Sequence, residues 1–224
     1  MDNKVTIHQP NYIPWIGFFN KIKMSDTLII LDTVDYSKNS VHNRNKIRTP
    51  KSWMYLTIPI PKIYHRKPLY DVRIEDNKWM SKHWKSILTN YSNAEHFKKY
   101  KDFFENLYSM KHESLVELNE KIIHYICQEL GLKPRIIKSS DIGVDQNLKK
   151  TEMLLNILRK VNATTYISGS GGKKYIDTDT FKNIKLEFQD FTHPVYKQCF
   201  EGFIPNMSII DMLFNNGKES SKII

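Results

Sequence analysis

Strand–helix alternation at both ends of the chain constrains this sequence more than any other feature. Lys4–His8 has strand composition and runs into a polar segment. Pro14 then suits the first turn of a helix, where its missing N–H is harmless, and Trp15, Ile16, Phe18, Phe19 and Ile22 follow at helical spacing. Residues 27–31 form a second apolar strand that ends at Asp32. Strand, loop, helix, strand is a βαβ unit, which pairs its strands in parallel. Near the other end, residues 151–161 place Met153, Leu154, Ile157, Leu158 and Val161 on one helical face. Residues 164–168 read as a strand running directly into GSGGKK, and Lys185–Phe188 as another.

The middle of the chain reads differently. Residues 35–49 are a polar, basic loop. Residues 53–58 have strand composition and are stopped by Pro59 and Pro61, and residues 69–74 read as an edge strand. Asp76 or Asn77 is placed to cap a helix to about Leu88, and Asn93 to cap another through Leu107. In a third helix Leu115, Leu118, Ile122, Ile126 and Leu130 form one apolar stripe that Gly131 ends. Arg135–Lys138 is a further strand. The expected architecture is a single α/β domain over residues 1–224: an open, largely parallel sheet of Rossmann-like character, with a helical insertion near 77–132.

Charge and composition narrow the partners. No apolar run approaches the roughly 18 residues that span a bilayer, and MDNKVTIHQPNY lacks the apolar core of a secretory signal. A cytoplasmic protein is expected. The formal charge of +10 suits a phosphorylated small molecule, nucleic acid or an anionic membrane surface. The lysines are scattered, so a solvated basic surface accounts for the charge equally well. Cys127 falls on an apolar helix face and neither it nor Cys199 belongs to a CxxC pair, so free thiols are expected rather than a bridge or a zinc site.

Four segments could carry chemistry. In the first, His8, Gln9, Asn11, Tyr12 and Trp15 cluster where a strand ends and a helix begins. In open α/β sheets ligands bind beyond the carboxyl ends of strands, and a helix N-terminus favours anions. His8 is a candidate acid or base; the alternative is that these polar groups only satisfy the turn. In the second, Ser168, Gly169, Ser170, Gly171, Gly172, Lys173 and Tyr175 follow a strand. Closely spaced glycines let a backbone approach a ligand and form an anion nest, although neither a Walker loop nor GxGxxG is matched. The third brings Asp32 at a strand end together with Asn43 and Arg44, whose guanidinium fits a carboxylate or phosphate. The fourth holds His193, Tyr196 and Gln198. His8, His42 and His193 have no metal-ligand spacing, so no metal site is assigned, and no motif names a cofactor.

Taken in order, HQPNYIPWIGFFNKI, LD-V-Y-K followed by NRN-I, LTIPI, ISGSGGKKYID, HPVYKQ and FIPNMSIIDMLFNNG resemble the WbqC-like family over nearly the whole chain. Asp35 and Val41 depart from the family pattern, which has a glutamine and an aromatic near those positions. The resemblance implies a bacterial protein of O-antigen or other surface-polysaccharide synthesis. It implies a transferase that moves an acyl or aminoacyl group to the amine of a nucleotide-linked amino sugar. In that reading Arg44, the helix N-terminus and the glycine segment hold phosphates, while His8 or His193 takes a proton.

Two other readings compete. Strand, His-containing loop, helix and a later Ser/Gly/Lys segment loosely resemble the ATP-using nucleotidyltransferases and ligases with HIGH-type motifs, although Trp15-Ile16-Gly17-Phe18 lacks the second histidine. A basic nucleic-acid-binding or regulatory protein, built on Arg44, Lys46, Arg48, Trp53 and Tyr55, ranks last because it leaves the His8 cluster unexplained. The number of subunits is not legible.

Overall fold

The computed structural model describes residues 2–145, 147–174 and 176–224. β1 (Lys4–His8), α1 (Ile16–Lys23) and β2 (Thr27–Ile30) form the expected βαβ unit, with β1 and β2 parallel from Val5↔Thr27 to His8↔Ile30. The chain continues through β3 (Arg44–Arg48) and β4 (Trp53–Thr57), then α2 (Trp79–Tyr91), α3 (Phe97–Ser109) and α4 (Leu115–Glu129). It returns to the sheet as β5 (Arg135–Lys138), α5 (Lys150–Lys160), β6 (Thr165–Ser168) and β7 (Lys185–Phe188), and ends in α6 (Ile209–Asn216) and α7 (Ser220–Ile223).

Five strands form one open sheet in the order β5-β2-β1-β6-β7, every pair parallel, so the fold is α/β. β2 and β6 are buried along their whole length, because helices cover both faces of the sheet. Alternation sorts the side chains: Leu28 and Ile30 join the core built with α1, α2–α4 and α6, while Ile7, Ile29 and Leu31 pack with Leu154, Leu155 and Leu158 of α5. The stripe on α4 is buried, and Gly131 ends the helix at a φ of 70°, a left-handed conformation that glycine adopts without strain.

The middle of the chain corrects several expectations. Residues 44–48 are a strand, not loop; they pair antiparallel with β4 in a separate two-stranded sheet. Their charges were misleading, because Arg44 and Lys46 lie over the rings of Tyr55 and Trp53 on one face of that hairpin. Residues 69–74 contain a 3-10 turn, Leu69–Asp71, instead of an edge strand. Leu69, Val72 and Ile74 are nevertheless buried, so the apolar spacing reported burial and not extension. α2 begins at Trp79, after an Asx turn in which Asp76 Oδ1 accepts from the Lys78 N–H at 2.8 Å. α3 begins at Phe97, with no cap from Asn93. α4 carries a side-chain cap, in which Ser114 Oγ accepts from the Glu117 N–H at 3.3 Å.

Cys127 and Cys199 are free. No helix among the described residues is long and apolar enough to cross a membrane.

Candidate functional site

The order of the strands reverses direction between β1 and β6. α1 after β1 packs into one core and the segment after β6, through Ile176 and Phe181, into the other, so the two connections leave on opposite faces with a crevice at the carboxyl ends of the strands. The register Lys4↔Thr165 to Thr6↔Ile167 brings His8 and the glycine segment to that same edge. A cleft of about 390 Å³ opens there, with His8, Gln9, Lys21, Ser168 and Gly169 among its lining residues, together with Gly171 and Gly172. The residues after β6 fold as a 3-10 turn, Ser170–Lys174, in which the Gly172 N–H donates to Gly169 O at 2.9 Å. Nothing lies within 4 Å of where a β-carbon would stand at Gly169 or Gly171. Packing therefore does not demand glycine at either position, and the missing side chains keep the cleft open.

Three nitrogen bases line or back this cleft, and burial decides their charge. His8 Nδ1 is 3.0 Å from Gln9 O; a carbonyl only accepts, so Nδ1 carries the hydrogen and Nε2 keeps its lone pair. Burial, and then the charges of Lys21 and His42, push the His8 pKa down to about 3, so the imidazole is neutral at physiological pH. Behind it, His42 Nε2 donates to Gln9 Oε1 at 2.8 Å, and burial lowers that imidazole to about 4. Lys21 is 5% exposed, and its ammonium donates to Ile7 O at 3.2 Å. Burial alone lowers it to about 7.

The remaining candidates are dispersed. Tyr12 is buried under the helical segment, where its hydroxyl meets His83 Nδ1 at 2.9 Å and the Tyr108 hydroxyl at 2.6 Å. Asp32 is also buried. Its carboxylate accepts from Ser139 Oγ at 2.8 Å, Ser140 N at 2.9 Å and Ser140 Oγ at 2.6 Å, which ties the end of β2 to the end of β5. Asn43 is buried and donates to Ile58 O at 2.8 Å. Ser170 and Lys173 are exposed on the glycine turn, with the Lys173 ammonium over the Phe188 ring. Tyr175 lies outside the described residues.

Asn11, Trp15 and Arg44 line a second cleft of about 320 Å³, with Lys46, Tyr55 and Asn206. The loop between β1 and α1 contributes to both clefts, Gln9 to the first and Asn11 and Trp15 to the second. Ile13 in that loop has a φ of 41°, a strained value for a β-branched residue, and the Asn45 amide holds its carbonyl at 2.6 Å. The first turn of α1 faces neither cleft. Ile16, Gly17 and Phe18 are buried, and the Trp15 ring lies across Gly17.

His193 does not meet His8. Its Nε2 accepts from the Asn206 N–H at 3.1 Å and its Nδ1 lies 2.8 Å from Pro194 O, so both nitrogens are engaged, in a cluster with Trp15, Phe191 and Tyr196. Tyr196 and Gln198 turn inward to Asp211. That buried carboxylate accepts from Tyr91 at 2.9 Å and from Tyr196 and Gln198 at 2.8 Å each. Among the described residues no group of three His, Cys, Asp or Glu is placed to hold a metal ion.

Two contributors were not anticipated: Lys21 and Asn119. Both carried a signal, a polar side chain on the apolar face of a helix: Lys21 is three residues after Phe18, and Asn119 four after Leu115. Asn119 is buried and its amide donates to Pro10 O at 3.0 Å and His42 O at 2.8 Å, which fixes the cleft-forming loops to α4.

The fold is a parallel α/β sheet with a polar cleft at its switch point. The sequence profile of the WbqC-like protein family matches residues 9–223, and the chain belongs to that family. It is 35% identical over 223 residues to the uncharacterized protein Rv1507c of Mycobacterium tuberculosis, covering 97% of this chain and 95% of the relative. No solved structure matches it.

Proposed function

We propose that this chain is a transferase of bacterial surface-polysaccharide synthesis that acylates or aminoacylates the amine of a nucleotide-linked amino sugar in the switch-point cleft. The observation that carries this reading is the meeting of a neutral imidazole with an open glycine turn at the ends of β1 and β6. Backbone amides of such a turn suit phosphate oxygens, and His8 Nε2 is the proton acceptor beside them. Family membership supports the surface-polysaccharide setting.

The chemistry is an addition and an elimination. The amine nitrogen attacks the carbonyl carbon of an activated acyl donor and forms the new C–N bond. Its N–H becomes strongly acidic as the nitrogen gains positive charge, so even a weak base takes the proton; His8 Nε2 receives it. The bond to the leaving group then breaks with its electron pair, and His8 returns the proton to that group. The second cleft, with Arg44 and Lys46 beside Tyr55, offers cations and a ring for the other reactant.

The test incubates the protein with amino sugars linked to UDP, GDP or dTDP and a panel of acyl and aminoacyl donors, and reads the mass of the product. Acylation that His8→Gln removes supports the reading. Acylation unchanged in that variant would remove His8 from the mechanism, and no product from any pair would sink the reading.

One observation favours a second reading. The loop after the first strand and the Ser/Gly/Lys turn after β6 bracket one cleft, as the loosely resembled ATP-using nucleotidyltransferases and ligases require. Pyrophosphate release from ATP on addition of the sugar phosphate would select it.

A further inference from the structure

Lys21 is the group in the cleft with the least structural reason to be where it is. It lies on α1 between Phe18 and Ile22, both in the core, yet its ammonium reaches the floor of the cleft beside His8. Among the described residues no carboxylate comes within ion-pair distance of it. Among the described residues its ammonium has one hydrogen-bond partner, the backbone carbonyl of Ile7. The groups facing it are His8 of β1 and Gln9 just after it, Tyr166 and Ser168 from β6, the glycine turn, Leu31 after β2 and Leu154 of α5, with His42 behind His8. None of them is an acid. A buried ammonium without a counter-charge is costly, and methionine of similar length would serve the core better.

We propose that Lys21 is the cation that holds the diphosphate of the substrate in the switch-point cleft, opposite the glycine turn. This deepens the transferase reading, since it rests on the same cleft being the substrate site. The ligand supplies the missing counter-charge, and Lys21 supplies a point charge where the turn supplies amide hydrogens. Burial holds the free lysine at about 7, so at pH 8 it is mostly neutral in the empty cleft and becomes protonated when the diphosphate arrives. Binding at that pH then takes up roughly one proton per ligand.

The experiment is calorimetric titration of UDP-, GDP- and dTDP-glucose into the protein at pH 8, in two buffers that differ in ionisation enthalpy. These diphosphate diesters do not titrate there, so any proton taken up belongs to the protein. Two variants accompany it. Lys21→Met removes the charge and keeps the length. Gly171→Leu fills the cleft from a position with open space above it.

The expected result is binding with proton uptake by the wild type, and affinity reduced about tenfold to a hundredfold, without uptake, in Lys21→Met. Gly171→Leu should also lose binding. The melting temperature of Lys21→Met at pH 7 should stay level or rise, which a purely structural lysine would not allow. Loss of binding in Gly171→Leu alone, with Lys21→Met unchanged, overturns the role of Lys21 and leaves the cleft standing. Binding unaffected by either variant overturns both, and no binding of any of the three nucleotides to the wild type overturns the diphosphate assignment.

Discussion

Trp15 lies across Gly17 with no room for a β-carbon between the indole ring and the helix backbone. Trp15 also forms a wall of the second cleft, and its ring packs edge-on to Phe191 at 5.5 Å between centroids. Gly17→Ala should therefore displace the indole and destabilise the fold by about 1–3 kcal/mol, the usual range for overpacking. Urea unfolding at pH 7 measures the loss; a midpoint equal to wild type would show that the ring moves aside freely.

The buried histidines should make the protein labile to acid. His42 and His83 are lowered to about 4 by burial, against an ordinary 6.5 that the unfolded chain recovers. Between those values the unfolded state binds more protons than the folded one, so stability falls as pH drops from about 6.5 towards 4. Each histidine contributes a slope of up to about 1.4 kcal/mol per pH unit. His8 adds to the same slope, and Asp211, whose pKa burial raises, opposes it. Urea midpoints taken from pH 8 to pH 4.5 should show a plateau and then a fall, shallower in His83→Gln. A profile flat down to pH 5 would contradict this account.

Much of the fold was legible, because the βαβ periodicity and the strand into GSGGKK survive any tertiary arrangement that buries them. His8 and Gln9 reach the glycine turn because parallel pairing brings the carboxyl ends of β1 and β6 to one edge, whereas Asn11, Tyr12 and Trp15 do not join that cleft. The β3–β4 hairpin was hidden, since Arg44 and Lys46 read as solvated charges until their cationic ends are seen to lie over the Tyr55 and Trp53 rings. Tyr12, Tyr196 and Gln198 show the opposite failure. A polar side chain in a motif looks the same whether it faces a ligand or, as here, a buried partner such as His83 or Asp211. Lys21 was legible only as a break in the apolar face of α1, and its reach towards Ile7 is set by the tertiary structure.

Asp211 should be intolerant of even an isosteric change. Three donors converge on its carboxylate, from Tyr91, Tyr196 and Gln198. In Asp211→Asn the new amide group must face at least one of those donors and leave it unpaired in the core. The expected cost is about 1–3 kcal/mol, with Tyr196→Phe costing less because it removes a donor and leaves the acceptor other partners. Equal stabilities for Asp211→Asn and wild type would mean that the network rearranges without penalty.

His8 and His193 differ in how many ring nitrogens the fold engages. His8 has one nitrogen tied to Gln9 O and the other left as an acceptor beside the cleft, whereas both nitrogens of His193 are engaged by Pro194 O and Asn206 N. His8→Gln should lower the acylation rate about a hundredfold or more while leaving the melting temperature close to wild type. His193→Gln should do the reverse: the cluster around Trp15 loosens, stability falls by about 1–2 kcal/mol, and the rate per folded molecule changes little. Rates measured on protein shown to be folded by circular dichroism check both halves. A His193→Gln variant as inactive as His8→Gln, yet fully stable, would move the proposed proton-transfer role to the aromatic cluster and away from the switch-point cleft.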